Sequence, residues 1–118
     1  MPNPVVHFEV TGKDAKKLQD FYSGVFGWQI DASNPMNYGI ITAQDGHGIG
    51  GGVGPGDGDQ GGVTFYIEVN DPQAYLDKVV AKGGKVLMPV TDIPGMVTMA
   101  QFSDPEGHRI GMIKAGSM

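Results

Sequence analysis

The first half of the chain alternates between apolar and polar positions, then changes to a helical spacing, and then alternates again. Residues 5–10 have the two-residue period of a β-strand. Asp14 is a predicted helix N-cap, and Gly27 is a predicted stop. The apolar positions between them recur at helical spacing and predict one buried face: Ala15, Leu18, Phe21, Tyr22, Val25 and Phe26. Three short strands, at 28–30, 38–43 and 47–53, complete a βαβββ pattern.

The second half repeats this order of elements. A glycine-rich stretch at 54–62 is predicted to be a flexible linker. After it the pattern predicts a strand at 63–69, a helix that starts after Asp71, and strands at 85–88, 97–102 and 108–113. The segment His7-Phe8-Glu9-Val10 matches Tyr66-Ile67-Glu68-Val69, and residues 45–50, with a predicted hairpin turn at Asp45-Gly46, match residues 106–111 in nearly the same register.

The repeat predicts a single α+β domain over residues 1–118, with module one at 4–53 and module two at 63–114. The two βαβββ modules are expected to be related by a pseudo-twofold axis, with curved mixed sheets facing each other and helices outside. Two such sheets leave a cleft between them, which is a natural place for a small organic ligand.

Composition and charge exclude several classes of partner. The chain has 118 residues, a net charge of −5, no cysteine and a single arginine, Arg109. A basic surface for nucleic acid or for an anionic membrane cannot be built from this set. There is no apolar run of the roughly 20 residues that a membrane helix needs, and no signal peptide is visible. We therefore expect a cytoplasmic protein.

Several segments together resemble one known superfamily. They are Val6-His7-Phe8-Glu9-Val10, Phe21-Tyr22-x-x-Val25-Phe26-Gly27-Trp28, Ile49-Gly50-Gly51-Gly52, Gly83-Gly84-Lys85-Val86, Ile93-Pro94-Gly95 and Asp104-Pro105-Glu106-Gly107-His108. They look like the vicinal-oxygen-chelate superfamily of glyoxalases, bleomycin-resistance proteins and extradiol dioxygenases, in its glyoxalase-related branch. The resemblance covers residues 4–114 and implies the two-module fold. Relatives often form dimers, so it also implies a possible homodimer.

Metal-dependent members of this superfamily hold a divalent cation between the modules. Carried over to this chain, the resemblance places the first-strand ligands at His7 and Tyr66, and the last-strand ligands near Gly50 and Gly111. Only His7 offers a good ligand, and a catalytic site needs about three. We therefore expect no metal cofactor, with a divalent metal held in part by His7 as the alternative.

The candidate site residues follow from the strand pattern and from the resemblance. His7, Glu9 and Glu68 are the candidate catalytic residues, because an imidazole titrates near neutral pH and two facing carboxylates favour acid–base chemistry. With His7, the two glutamates are also candidate metal ligands. The candidate ligand-binding residues are aromatic or sulfur-containing: Tyr66, Tyr38, Phe102 and Met112. Burial in an ordinary core is the alternative for these four.

Three functions are compatible with the sequence. The first is a metal-free protein that binds a small organic molecule in the cleft. The second is a lyase or isomerase of glyoxalase type acting on a small carbonyl compound, with His7 and Glu9 or Glu68 as base or metal ligands. The third is an interaction module whose cleft is filled by its own side chains.

Overall fold

The computed structural model describes residues 2–43, 46–56 and 61–117. Along them the elements follow the order βαβββ twice. The bounds are β1 Val5–Gly12, α1 Ala15–Phe26, β2 Ile30–Asp31, β3 Gly39–Ile41, β4 Gly51–Pro55, β5 Gly62–Val69, α2 Pro72–Ala81, β6 Lys85–Ile93, β7 Val97–Ser103 and β8 Arg109–Lys114. The predicted α+β class and the two βαβββ modules are confirmed.

The backbone divides into two compact units. The first unit is His7–Thr64, and the second is Phe65–Met118 together with Met1–Val6. The N-terminal residues join the second unit because they bond to β5. Pro4 O accepts a hydrogen bond from Glu68 N at 2.9 Å, and Asn3 Nδ2 donates to Glu68 O at 3.1 Å.

The sheet of the first unit has the strand order β2-β3-β4-β1. Strands β1 and β4 are parallel, whereas β3 runs antiparallel to both of its neighbours, so the sheet is mixed. Helix α1 is fastened to it by Gln19, whose side-chain amide donates to Val53 O at 2.8 Å and to Asn37 O at 3.2 Å. Both predicted ends of α1 are confirmed: Asp14 accepts from Lys17 N, and Gly27 adopts the left-handed conformation with φ 71°.

The predicted buried face of α1 is wrong for three of its six residues. Ala15 is buried as expected, but the other buried residue of the helix is Gln19. Phe21, Val25 and Phe26 are each more than half exposed. The reason is that β2 and β3 are only two and three residues long and offer too little apolar surface to cover the whole helix.

The sheet of the second unit has the order β5-β8-β7-β6, with β5 and β8 parallel and the other pairs antiparallel. Its core under α2 is apolar and contains Val69, Leu76, Ala100 and Met112, with Ile67, Tyr75 and Phe102 packed against them. A second cluster contains Tyr66, Met99 and Ile113. The predicted start of α2 is confirmed, because Asp71 accepts from Ala74 N and Pro72 opens the helix.

Several strand bounds differ from the prediction. Gly54 and Pro55 belong to β4 and Gly62 to β5, so the ordered strands reach into the predicted linker, of which residues 57–60 lie outside the described residues. Strand β6 runs five residues beyond the predicted end. It continues through Pro89, which lacks an N–H donor, because the pairing with β7 shifts register there.

Three sequence predictions remain without a structural answer. Asp45, of the predicted hairpin turn, lies outside the described residues. The pseudo-twofold axis and the cleft between facing sheets stay predictions.

Neither described helix has the length and apolar character that a membrane crossing requires.

Candidate functional site

A chain of hydrogen bonds connects two of the predicted catalytic residues in the first unit. His7 and Glu9 lie two positions apart on β1, so their side chains leave the same face of the sheet. Tyr38, just before β3, lies between them. Its hydroxyl is 2.8 Å from His7 Nε2 and donates to Glu9 Oε2 at 3.0 Å. The rings of His7 and Tyr38 are stacked, with centroids 6.2 Å apart. The structure thus brings His7, Glu9 and Tyr38 together.

Glycines on β4 make room for the Tyr38 ring. Gly52 is the register partner of Glu9, and a Cβ atom on Gly52 would lie 2.0 Å from the Tyr38 hydroxyl. A Cβ on Gly54 would lie 2.8 Å from Tyr38 Cδ1. The ring therefore lies directly on the bare backbone of β4, which explains the glycines at these two positions of the strand.

The backbone of Tyr38 is fixed as well as its ring. Asn34 Oδ1 accepts from Tyr38 N at 3.0 Å, and Asn34 Nδ2 donates to Tyr38 O at 2.6 Å. The sequence predicted a turn at residues 33–35 but gave no sign that Asn34 would hold a site residue. A hydroxyl held in this way is preorganised for contact with a ligand.

Burial favours the neutral form of His7. Loss of contact with water disfavours the imidazolium and lowers the pKa of His7 below its ordinary value of 6.5. A tyrosine hydroxyl has one proton to donate, and Tyr38 donates it to Glu9. Its oxygen therefore accepts from His7, which places a proton on Nε2, and the lowered pKa favours the neutral tautomer that carries this proton. The bonds run in one direction, from imidazole to phenol to carboxylate, and such a chain can move a proton.

A second polar chain lies in the second unit and involves two residues that sequence reasoning missed. Gln101 Nε2 donates to the Tyr66 hydroxyl at 2.9 Å, and Arg109 Nη1 donates to Gln101 Oε1 at 2.5 Å. Tyr66 is only 3% exposed, and its ring covers Gly111, where an added Cβ would lie 2.2 Å from the ring. No local pattern could have linked Gln101 to Tyr66, because the pairing depends on strand order.

The other predicted site residues are placed as follows. Glu68 is half-buried on β5, and its backbone pairs with the N-terminal residues. Met112 is in the core under α2, and Phe102 packs against that core. Core packing accounts for Phe102 and Met112, so nothing brings them toward Tyr66. The ligand-binding role of these two, and the pairing of Glu68 with Glu9, stay predictions.

The residues carried over as metal ligands do not form a ligand set. Gly50 and Gly111 supply no donor atom, and the Tyr66 ring fills the space in which a side chain on Gly111 would begin. Within residues 2–43, 46–56 and 61–117, no group of three or more His, Cys, Asp or Glu residues is arranged to hold a metal. The described residues therefore do not supply the roughly three protein ligands that a catalytic metal needs, and the absence of a metal cofactor stays a prediction.

Sequence comparisons match the chain to one protein superfamily and to individual relatives. The model of the Glyoxalase/Bleomycin resistance protein/Dioxygenase superfamily matches residues 5–112. The anthracycline biosynthesis protein DauV of Streptomyces sp. (strain C5) is 31% identical over 99% of this chain and 49% of its own length. The chain thus spans about half the length of this relative. A glyoxylase-like domain-containing protein of Didymella fabae is 32% identical over 85% of this chain and 84% of its own length.

Solved structures share the fold at low sequence identity. A superfamily member from Vibrio splendidus 12B01 superimposes with a TM-score of 0.63 at 19% identity, covering 96% of this chain and 99% of that chain. A variant of Streptomyces coelicolor methylmalonyl-CoA epimerase, in complex with 2-nitronate-propionyl-CoA, gives a TM-score of 0.67 at 13% identity, covering 99% and 98%. At these identities the likeness concerns the fold alone.

Proposed function

Because this chain belongs to the Glyoxalase/Bleomycin resistance protein/Dioxygenase superfamily, we propose that it binds a small organic molecule on the sheet face that carries His7, Tyr38 and Glu9, without a metal cofactor. The observation that carries the proposal is the hydrogen-bonded chain through the Tyr38 hydroxyl. A superfamily fold supports many chemistries, so the residues of the site, rather than the fold, decide which ligand is bound.

The composition of this face supports a role in binding rather than in stability. Burying polar groups is costly, and it is tolerated when each group keeps a hydrogen-bond partner. The second unit places Met99 and Ile113 in an apolar cluster, whereas the first unit places an imidazole, a phenol and a carboxylate in one chain. Both protons of the chain are donated within it, from His7 to Tyr38 and from Tyr38 to Glu9, so these groups match a ligand whose hydroxyl groups donate to their acceptor atoms.

The names of relatives agree with a small organic ligand. DauV is named for anthracycline biosynthesis, and the epimerase structure contains a propionyl-CoA analogue. Neither compound is assigned to this chain. What supports the proposal is that related sequences and related folds are associated with small organic molecules.

The test compares two tyrosine variants that lose the same atom. Tyr38→Phe removes the hydroxyl between His7 and Glu9 and keeps the ring on β4, whereas Tyr22→Phe removes a hydroxyl from α1, where Tyr22 stacks on Trp28. A panel of small hydroxy and carbonyl compounds is screened by ligand-detected NMR. Compounds that bind the unaltered protein are expected to bind Tyr22→Phe equally well and to lose binding to Tyr38→Phe and to folded His7→Ala. Equal binding to all four proteins would refute this site.

A second candidate function is a glyoxalase-type lyase or isomerase that acts on a small carbonyl compound. It is favoured by the lowered pKa of His7, because a neutral imidazole joined to Glu9 through Tyr38 can accept a proton. In D2O such a base would exchange the α-hydrogens of hydroxyacetone for deuterium, which 1H NMR detects. Exchange that exceeds the buffer rate and is lost in His7→Ala and Glu9→Gln supports catalysis. Exchange at the buffer rate contradicts catalysis and supports ligand binding alone.

We also propose that the chain forms a homodimer and is located in the cytoplasm. More than half of the side chains of Phe21, Val25 and Phe26 on α1 is exposed, which gives a second copy an apolar surface to cover. Light scattering of the purified chain measures its mass in solution and therefore decides between monomer and dimer.

A further inference from the structure

Two cationic side chains flank a serine on one face of the second unit. Lys85 on β6 is the register partner of Ser103 on β7, and Ser103 is the register partner of Arg109 on β8. Residues directly opposite each other on antiparallel strands leave the same face of the sheet. The three residues therefore form a row across three neighbouring strands, called here the Lys85–Ser103–Arg109 row.

The guanidinium of Arg109 is held in place from one side. Its Nη1 donates to Gln101 Oε1, and Gln101 is itself buried and bonded to the Tyr66 hydroxyl. A guanidinium carries five N–H donors, so this bond leaves most of its donors for another acceptor. Lys85 and Arg109 are both exposed at the surface.

Neither cation of the row is neutralised by a neighbouring carboxylate. Among the described residues, no carboxylate oxygen lies within 4.0 Å of a Lys85 or Arg109 side-chain nitrogen. Asp104, next to Ser103 in the sequence, turns its carboxylate toward the backbone N–H groups of Glu106 and His108, each at 3.0 Å. The two cations therefore give the row a local positive charge in a chain whose net charge is −5.

We propose that the Lys85–Ser103–Arg109 row binds a phosphate group. Neighbouring strands lie about 4.8 Å apart, so the two cations leave the backbone about 10 Å apart, and their long side chains can converge above Ser103. A phosphate offers oxygens for a two-pronged contact with Arg109, a point charge for Lys85 and an acceptor for the Ser103 hydroxyl. This site does not depend on the ligand proposed for the first unit.

The experiment uses the fact that Arg109 is the single arginine, so its side-chain Nε–H gives one unambiguous signal in a 15N-correlated NMR spectrum. Inorganic phosphate, phenyl phosphate and benzoate are titrated separately at constant ionic strength. Both phosphates are expected to give saturating shifts of Arg109 Nε–H and of the Ser103 amide. Tighter binding of phenyl phosphate identifies an organic phosphate as the ligand, and equal affinity identifies the free ion.

Charge-matched variants complete the test. Arg109→Gln and Lys85→Gln are each expected to weaken phosphate binding about tenfold, since a hydrogen bond to a charged group is lost. Lys17→Gln, which removes the same charge from an exposed position on α1, is expected to bind as the unaltered protein does. The Lys85 side chain makes no hydrogen bond within the described residues, so Lys85→Gln is expected to fold and keeps the test valid if Arg109→Gln does not fold. The site is overturned by three results: no saturation below about 50 mM phosphate, equal weakening in Lys17→Gln, or benzoate binding as tightly as phenyl phosphate.

Discussion

The two units present opposite kinds of polar chain at corresponding positions on their first strands. In the first unit the chain starts at His7 and ends at the Glu9 carboxylate. In the second unit it starts at Tyr66 and ends at the Arg109 guanidinium. The same βαβββ backbone therefore carries an anionic, titratable chain in one copy and a cationic chain in the other. The repeat thus preserves the scaffold and leaves the chemistry of each face free to differ.

The helices differ in the same way. Gln19 and Leu76 are each the fifth residue of their helix, and each is buried. Gln19 attaches α1 to its sheet through two hydrogen bonds to backbone carbonyls, whereas Leu76, 1% exposed, attaches α2 through an apolar core. The first unit is thus held by directional contacts next to its polar chain, and the second by packing.

Replacing the helix anchor Leu76 should lower the free energy of unfolding more than any other change proposed here, including the replacement of Gln19, the anchor of α1. Leu76→Ala removes a fully buried side chain and leaves a cavity, so we expect it to lower the free energy of unfolding by about 2–5 kcal/mol. Gln19→Ala leaves the Val53 carbonyl without this donor and is expected to cost about 1–3 kcal/mol. Urea unfolding followed by circular dichroism measures both. A larger loss for Gln19→Ala would show that hydrogen bonding, not packing, is the stronger anchor.

A glycine lies beneath each of the two tyrosine rings, and replacing it with alanine should lower stability by a different amount in each unit. In Gly111→Ala the new methyl group meets the Tyr66 ring, which is buried and cannot move aside, so overpacking is expected to cost about 1–3 kcal/mol. In Gly52→Ala the methyl group meets the hydroxyl end of Tyr38, which is half-buried. We expect Tyr38 to swing away at a smaller cost in stability.

The readout for this pair is denaturant unfolding together with the fluorescence and NMR signals of the tyrosines. Gly52→Ala should disturb the signals of His7 and Tyr38, while Gly111→Ala should mainly lower the unfolding midpoint. If both variants are equally stable, the Tyr66 ring is as adaptable as the Tyr38 ring, and the contrast between the units disappears.

Local features of the fold were predictable because they depend on a few adjacent residues. Asp14 and Asp71 cap their helices as expected, and Gly27 ends α1, since capping is decided within one turn of helix. The exposure of Phe21 was not predictable. The spacing of apolar residues indicates a helix face but does not show how much sheet is available to cover it.

The candidate site was predictable only in part. The two-residue period of β1 placed His7 and Glu9 on one face, and the structure agrees. The hydroxyl that joins them belongs to Tyr38, 29 positions beyond Glu9, and only strand pairing brings it there. The Gln101–Arg109 contact was missed for the same reason, because cross-strand neighbours follow from sheet order and not from sequence spacing.

The free energy of unfolding should also depend weakly on pH, and this dependence should come from His7 in the first unit. Burial lowers the pKa of His7 in the folded chain, so the unfolded chain binds more protons as the pH falls below about 6.5. The free energy of unfolding is therefore expected to decrease from pH 7.5 toward pH 5.5.

His7→Gln should flatten this slope, whereas His47→Gln, which removes an exposed imidazole, should leave it unchanged. Urea unfolding at both pH values measures the slopes. An unchanged slope in His7→Gln would mean that protonation of His7 is not linked to folding.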